Sequence, residues 1–160
     1  MHVYHCQPQG RENRGFTLVE LSIALAILLV LTHIALPAWH QYIRRMHRAE
    51  VRTVMLETIL TLERHHLAAH TYSDTGAPGQ VVGTWPLAVR HGQQPIYRIE
   101  AGPCAALTLA ECAELRAIPV HDDPQCGTLI LRTTGEMRAQ LPGQAESEAG
   151  TGTTGSTGCW

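Results

Sequence analysis

Residues 16–36 read FTLVELSIALAILLVLTHIAL, a strongly apolar run with one carboxylate, Glu20, near its start and with Thr32 and His33 near its end. As an α-helix this run would span about 30 Å, enough to cross the hydrocarbon core of a bilayer. The residues before it, MHVYHCQPQGRENRG at 1–15, are polar, and the change at Phe16 is abrupt. A cleaved secretory signal would need a small-residue cut site after its apolar region. Ala24-Leu25-Ala26 falls too early for that, inside the run, and no good site follows near Leu36. A simple single-pass anchor fits the length but leaves Glu20 unexplained. A carboxylate in a membrane segment is costly to desolvate and is a functional candidate for that reason. Ser22 and Ala26 form a small-xxx-small pair that would admit a close helix neighbour.

Pro37 ends the apolar run. Its nitrogen cannot donate to the carbonyl of His33, so a kink or loosening of the helix is expected there. Helical signals resume at once, and residues 38–72 contain no Gly and no further Pro. Val51, Val54, Met55, Ile59 and Leu62 recur at spacings of three and four, with Glu50, Thr53, Glu57 and Arg64 on roughly the opposite face. This predicts an amphipathic helix continuous with the apolar one. Leu56, Leu60 and Leu67 lie beside the main stripe, so part of the apolar surface is available to a neighbouring molecule. The basic stretch Arg44-Arg45-Met46-His47-Arg48-Ala49-Glu50 reads for the most part as a solvated helical face, with subunit pairing or lipid phosphate contact as the functional options. Glu63, His66 and His70 stand one turn apart, but no third histidine on a second element completes a metal site.

Beyond residue 72 the pattern changes to that of a small β-rich head. Residues 73–94 are rich in Gly, Pro and Thr and are expected to form a loop anchored by Trp85, Leu87 and Val89. Strands are expected at 96–100, 115–121, 128–133 and 136–140, with Thr134-Gly135 as a turn and an Ala-rich short helix or loop at 104–114. Residues 142–158 are low in complexity and cannot supply a core. The fold class is therefore α+β: a long N-terminal helix, membrane-embedded in its first half, packed on a small antiparallel sheet.

The formal charge of -2 and a pI near 6.5 offer no strong nucleic-acid signal. Aromatic content of 5 % makes stacking a poor basis for function. There is no serine or cysteine nucleophile motif, no paired catalytic carboxylates and no phosphate loop, so no catalytic residue, cofactor or metal is assigned. Of the five cysteines, Cys6 precedes the apolar run, and Cys104, Cys112, Cys126 and Cys159 follow it. If the membrane separates two compartments, the four can be oxidised outside while Cys6 stays reduced inside. Spacing excludes the close pairs of a structural zinc site and leaves three disulfide pairings open. Arg44, Arg45, Arg48 and Arg52 outnumber Arg11 and Arg14 across the run, which by the positive-inside rule favours a cytoplasmic C-terminal side. The four downstream cysteines argue the reverse.

The stretch Gly15-Phe16-Thr17-Leu18-Val19-Glu20, followed by an apolar helix, resembles the prepilin cleavage motif of type IV pilins and pseudopilins. Pro37 stands at the matching distance from the cut. Cys126-Gly127-Thr128-Leu129, Gly135 and a terminal Cys159-Trp160 resemble PilE-like minor pilins in particular. The resemblance implies processing between Gly15 and Phe16, methylation of the new amine, and Glu20 as the residue that pairs with the amine of a neighbouring subunit. It implies a leader at 1–15, a filament-core helix at 16–37, its amphipathic continuation at 38–72 and a head at 73–160 closed by a C-terminal cysteine loop. Cys126 with Cys159 would form that loop, leaving Cys104 with Cys112. The partners implied are other pilin subunits, the prepilin peptidase, the inner membrane and the assembly machinery. The location implied is the bacterial inner membrane, with the head in the periplasm, and then the extracellular pilus. The function implied is minor-pilin work in pilus assembly or initiation, with motility, adhesion or DNA uptake downstream. A type II secretion pseudopilin and a membrane-anchored binding module are the alternatives; for the first, Asp122-Asp123 is too sparse a run to support bound calcium.

Overall fold

The computed structural model describes residues 16–141, 143 and 158–160. The expected leader with Cys6 and Gly15, and most of the low-complexity stretch, lie outside the described residues. The chain divides into two compact units, Met1–His40 and Gln41–Trp160. Helix α1 runs Leu18–Ala69 and contains Pro37.

In the first unit the described apolar side chains face the surroundings. Phe16, Leu18, Leu21, Leu25, Leu29 and Leu31 are all more than half exposed. Among the described residues the chain supplies nothing to cover them. Helix formation satisfies the backbone groups, but the side chains are left to another apolar phase.

In the second unit the helix carries Val51, Met55 and Leu62 into a core where they are almost fully buried. Their spacing of four and seven places them on one face. Val54 and Ile59 flank that face and are partly buried. Each large side chain so buried contributes about 1.5–3 kcal/mol. Leu56, Leu60 and Leu67 stay exposed, as their position beside the stripe implies. The helix stops at Ala69, three residues short of the boundary expected from sequence. His70 takes a positive φ of 55° and its amide closes the last turn on His66. Tyr72 then leaves the helix to enter the core, its amide donating to the Leu109 carbonyl at 2.8 Å.

The sheet is an antiparallel meander of β1 (Leu87–His91), β2 (Gln94–Pro103), β3 (Ala113–Pro119), β4 (Thr128–Arg132) and β5 (Met137–Gln140), neighbours in that order. One inward row runs Leu87, Ile99, Ala117, Leu129, Ala139 across all five strands. A second, Ala101, Leu115, Leu131 and Met137, lies parallel to it. Four strands were expected and five are present. Residues 87–91, read as loop, form β1, which folds back on β2 through a tight turn at Gly92-Gln93. Only Val89 of this edge strand is buried, so its alternation is too faint to stand out beside Gly83 and Pro86. Residues 104–112 form a loop, and Ala113 and Glu114, assigned with it from sequence, already belong to β3.

Gly127 is the tightest point of the meander. Its φ is 57°, and a Cβ built there would lie 2.1 Å from the Gln140 carbonyl oxygen on the neighbouring chain segment. Gly135, in the β4–β5 turn, also has positive φ (84°), but a Cβ there meets nothing. Gly127→Ala is expected to lower unfolding free energy by more than about 2 kcal/mol, against about 1 kcal/mol for Gly135→Ala. Denaturant unfolding of the full chain in detergent checks this; equal losses would remove the steric account of Gly127.

Candidate functional site

At the start of α1, Thr17 and Glu20 form a reciprocal cap. The Glu20 amide donates to Thr17 Oγ1 at 3.2 Å, and Glu20 Oε2 accepts from both the amide and the hydroxyl of Thr17 at 3.5 Å. This is a capping box, in which two otherwise orphaned helix donors are satisfied by each other's residue. The other polar groups of the apolar run bond to the helix's own carbonyls: Ser22 Oγ to Val19 at 2.7 Å, Thr32 Oγ1 to Leu29 at 2.9 Å, and His33 Nδ1 to Leu29 at 3.3 Å. Such bonds lower the cost of carrying these groups in an apolar medium. The segment meets length and composition criteria for a membrane span, with a mean hydropathy of 2.3 in its best window.

In the head, two disulfides close two loops. Cys126 joins Cys159 across 33 residues, and Cys104 joins Cys112. Closing the larger loop is worth on the order of 3–4 kcal/mol in the chain-entropy model. The helix grips the two ends that this disulfide joins through two arginines. Arg48 makes a bidentate pair with Asp123, Nε to Oδ2 at 2.6 Å and Nη2 to Oδ1 at 2.7 Å, and Nη2 also donates to Gln125 Oε1 at 3.1 Å. Both side chains of the ion pair are almost fully buried. Arg52 donates to the Cys159 carbonyl and sits over the Trp160 ring, 5.9 Å from its centroid. Trp160 in turn donates from Nε1 to the Arg138 carbonyl on β5 at 2.7 Å. Arg48 was read as part of a solvated basic face; it is instead a core cation, because its partner lies 75 residues away in the β3–β4 connection.

Asp123 is more than a counter-ion. Its Oδ1 also accepts from the amides of Gln125 and Cys126, at 3.2 and 3.3 Å, and its carbonyl accepts from Gly127. It thus shapes the turn that leads into the disulfide. Burial alone would raise its carboxyl; the Arg48 guanidinium and the two amides outweigh that and hold it below the usual carboxylate range. Both oxygens are engaged, so Asp122-Asp123 does not present a carboxylate pair to a cation. Nearby, burial first and the Asp123 charge second push the Tyr97 phenol up to about 12.

The histidine-rich end of α1 is structural. Glu63 accepts from the Tyr72 hydroxyl at 2.9 Å, His66 stacks on the Tyr72 ring at 4.4 Å, and His66 Nε2 meets the Ala110 carbonyl at 3.1 Å. Among the described residues no group of three or more His, Cys, Asp or Glu side chains is placed to hold a metal ion.

Residues 10–36 match the family described as the prokaryotic N-terminal methylation motif. A protein named "Fimbrial protein" from Moraxella nonliquefaciens is 42 % identical over 142 residues, covering 80 % of this chain and 90 % of the relative. The chain belongs to the type IV pilin family. None of the solved structures compared matches it. The pilin is a structural subunit, not an enzyme, and its α+β architecture is that of a long N-terminal helix with a five-stranded antiparallel sheet. Processing by a prepilin peptidase and assembly with other pilin subunits follow from family membership. The capping box at Thr17 and the Arg48–Asp123 pair escaped sequence reasoning for different reasons. The first is a Thr-x-x-Glu signature, readable in principle. The second joins residues with no local relation.

Asp123→Ala should cost the head about 3–5 kcal/mol, because it leaves the Arg48 guanidinium buried without its partner. A carboxyl held low in the fold adds stability above its unfolded pKa and loses it as pH falls through the folded value. Through Asp123 the stability of the pilin head should therefore not vary with pH above about pH 4 and should weaken below it. Urea midpoints measured from about pH 7 to pH 2 check this; a profile that Asp123→Asn leaves unchanged would overturn it.

Proposed function

We propose that this pilin is a minor subunit of a type IV pilus, acting in assembly or initiation, with Gly15 and Phe16 as its processing site and Glu20 as its pairing residue. The observation that carries the reading is the helix of residues 18–36, apolar and left uncovered among the described residues, with Glu20 as its one carboxylate. In lipid that carboxylate costs several kcal/mol unless a cation accompanies it. Cleavage after Gly15 creates an amine beside Phe16, and the amine of a neighbouring subunit offsets the cost only in a close, oriented pair. The charge thereby favours leaving lipid for the filament. Until that happens the Thr17 hydroxyl and amide serve as the carboxylate's local donors. Pro37, with no amide to donate, lies inside the continuous helix and leaves it one backbone bond short, which in this reading lets the helix kink there.

In this reading the head lies in the periplasm and later outside the cell. Two disulfides favour an oxidising compartment. The opposing weight of the downstream arginines is reduced, since Arg48 and Arg52 are committed to Asp123 and to Cys159-Trp160. The Cys126-Gly127-Thr128-Leu129 and Cys159-Trp160 pattern supports a minor role. The 42 % identity to a fimbrial protein favours a second reading, a subunit of the shaft.

Mass spectrometry of protein extracted from membranes should find N-methyl-Phe16 at the N-terminus; an intact Met1 in a host with the peptidase would refute the processing claim. Glu20→Ala should insert and be cut yet enter filaments at least about tenfold less, as expected from loss of one buried ion pair. Normal incorporation would defeat the pairing role. Counting copies in purified pili separates the two readings: sparse copies support the minor role, and a majority share supports the shaft.

A further inference from the structure

A groove of about 560 Å³ lies in the head between the helix, from Val54 to His65, and the chain segment 82–87 that leads into β1. Val54, Leu62, Val82 and Trp85 make its lining largely apolar. The polar side chains that share the lining have their protons already engaged. Thr58 Oγ1 donates to the Val54 carbonyl at 2.7 Å, and Thr61 Oγ1 donates to the Glu57 carbonyl at 3.0 Å. Trp85 Nε1 donates to the carbonyls of Val81 and Val82 at 3.1 and 3.3 Å. His65 Nε2 bonds the Ser73 carbonyl at 3.2 Å. A carbonyl only accepts, so Nε2 carries the hydrogen and Nδ1 is the acceptor of that tautomer. Glu57 is exposed and adds a carboxylate that makes no ion pair among the described residues. Of the side chains in the lining, only the exposed Thr84 hydroxyl can still donate.

We infer that this groove binds an arginine side chain presented by an apolar segment of a partner protein. A lining of acceptors calls for a ligand of donors. A guanidinium carries five N–H groups in a planar fork and has no acceptor of its own. Glu57 meets its charge, and an indole is the aromatic ring that attracts a cation most strongly. A carboxylate or phosphate would face Glu57 and the lone pairs of Thr58, Thr61 and His65 with no proton to offer them. Length decides what kind of molecule carries the guanidinium. The helix advances about 16 Å from Val54 to His65, farther than one arginine side chain reaches. The remaining surface is apolar, so the occupant brings apolar neighbours along with its cation. A peptide segment does so and a small free guanidinium does not. The groove lies wholly within the unit Gln41–Trp160, so binding there depends neither on cleavage after Gly15 nor on Glu20.

Titration of the full-length chain in non-ionic detergent micelles with the peptide acetyl-Val-Arg-Val-amide tests the site. The indole N–H resonance of Trp85 reports binding, with those of Trp39 and Trp160 as internal controls. The Trp85 resonance should shift and saturate with a Kd in the millimolar range, while the controls stay in place. The matching citrulline peptide keeps the shape but loses the charge, and should bind at least about threefold more weakly. Glu57→Gln, at an exposed position that the fold tolerates, should weaken the arginine peptide by a similar factor. Acetylarginine amide, which lacks the apolar flanks, should also bind more weakly than the tripeptide. A Trp85 resonance that does not move would overturn the proposal. So would equal binding of the citrulline peptide, of the bare acetylarginine amide, or of the arginine peptide to the Glu57→Gln chain.

Discussion

The bidentate pair between Arg48 and Asp123 organises the head. Two charges taken out of water are expensive, and the geometry that compensates is demanding: two short bonds in one plane, and the remaining lone pairs met by the amides of Gln125 and Cys126. Meeting that demand settles several things together. It fixes where the β3–β4 connection crosses the helix, which way the turn at Asp123 runs, and where Cys126 presents its sulfur. Cys159 is then tied to Cys126, and its carbonyl accepts from Arg52 one helical turn beyond Arg48. The covalent closure and the buried charge pair thus meet at the same turn, at Cys126 and Asp123.

The apolar part of α1 faces a different constraint. Its backbone is satisfied and its side chains are not, so it is stable only where another apolar surface exists. Lipid offers one such surface and the helices of other subunits offer another. Between these two, apolar area discriminates little, because hydrocarbon and packed side chains are similar solvents for leucine. A single carboxylate discriminates strongly. A pilin that must first reside in a membrane and then leave it needs a feature of this kind, and in the function proposed above that feature is Glu20.

Stability is unevenly spread through the head. Met55, Ile99, Leu115 and Leu129 are fully buried around the middle strands, while β1 buries one side chain and β5 none completely. Elements of that second kind respond to solution conditions first, since few contacts oppose their opening.

The apolar run, the position of Glu20, the proline and the three-and-four spacing from Val51 to Leu62 were all legible in the order of residues. Each depends only on near neighbours and on the fixed geometry of a helix. Strands β2 to β5 could be read the same way, from alternation and turn residues. Edge strand β1 could not, because one buried residue makes no pattern. Nor could the roles of Arg48, Arg52 and Gly127, or the meeting of His47 and His91. A buried cation and a solvated one look alike in sequence, and a glycine shows its need for a missing Cβ only when Gln140 arrives beside it. Those features are set by contacts between residues far apart in the chain, and only the folded head brings them within ångströms of one another.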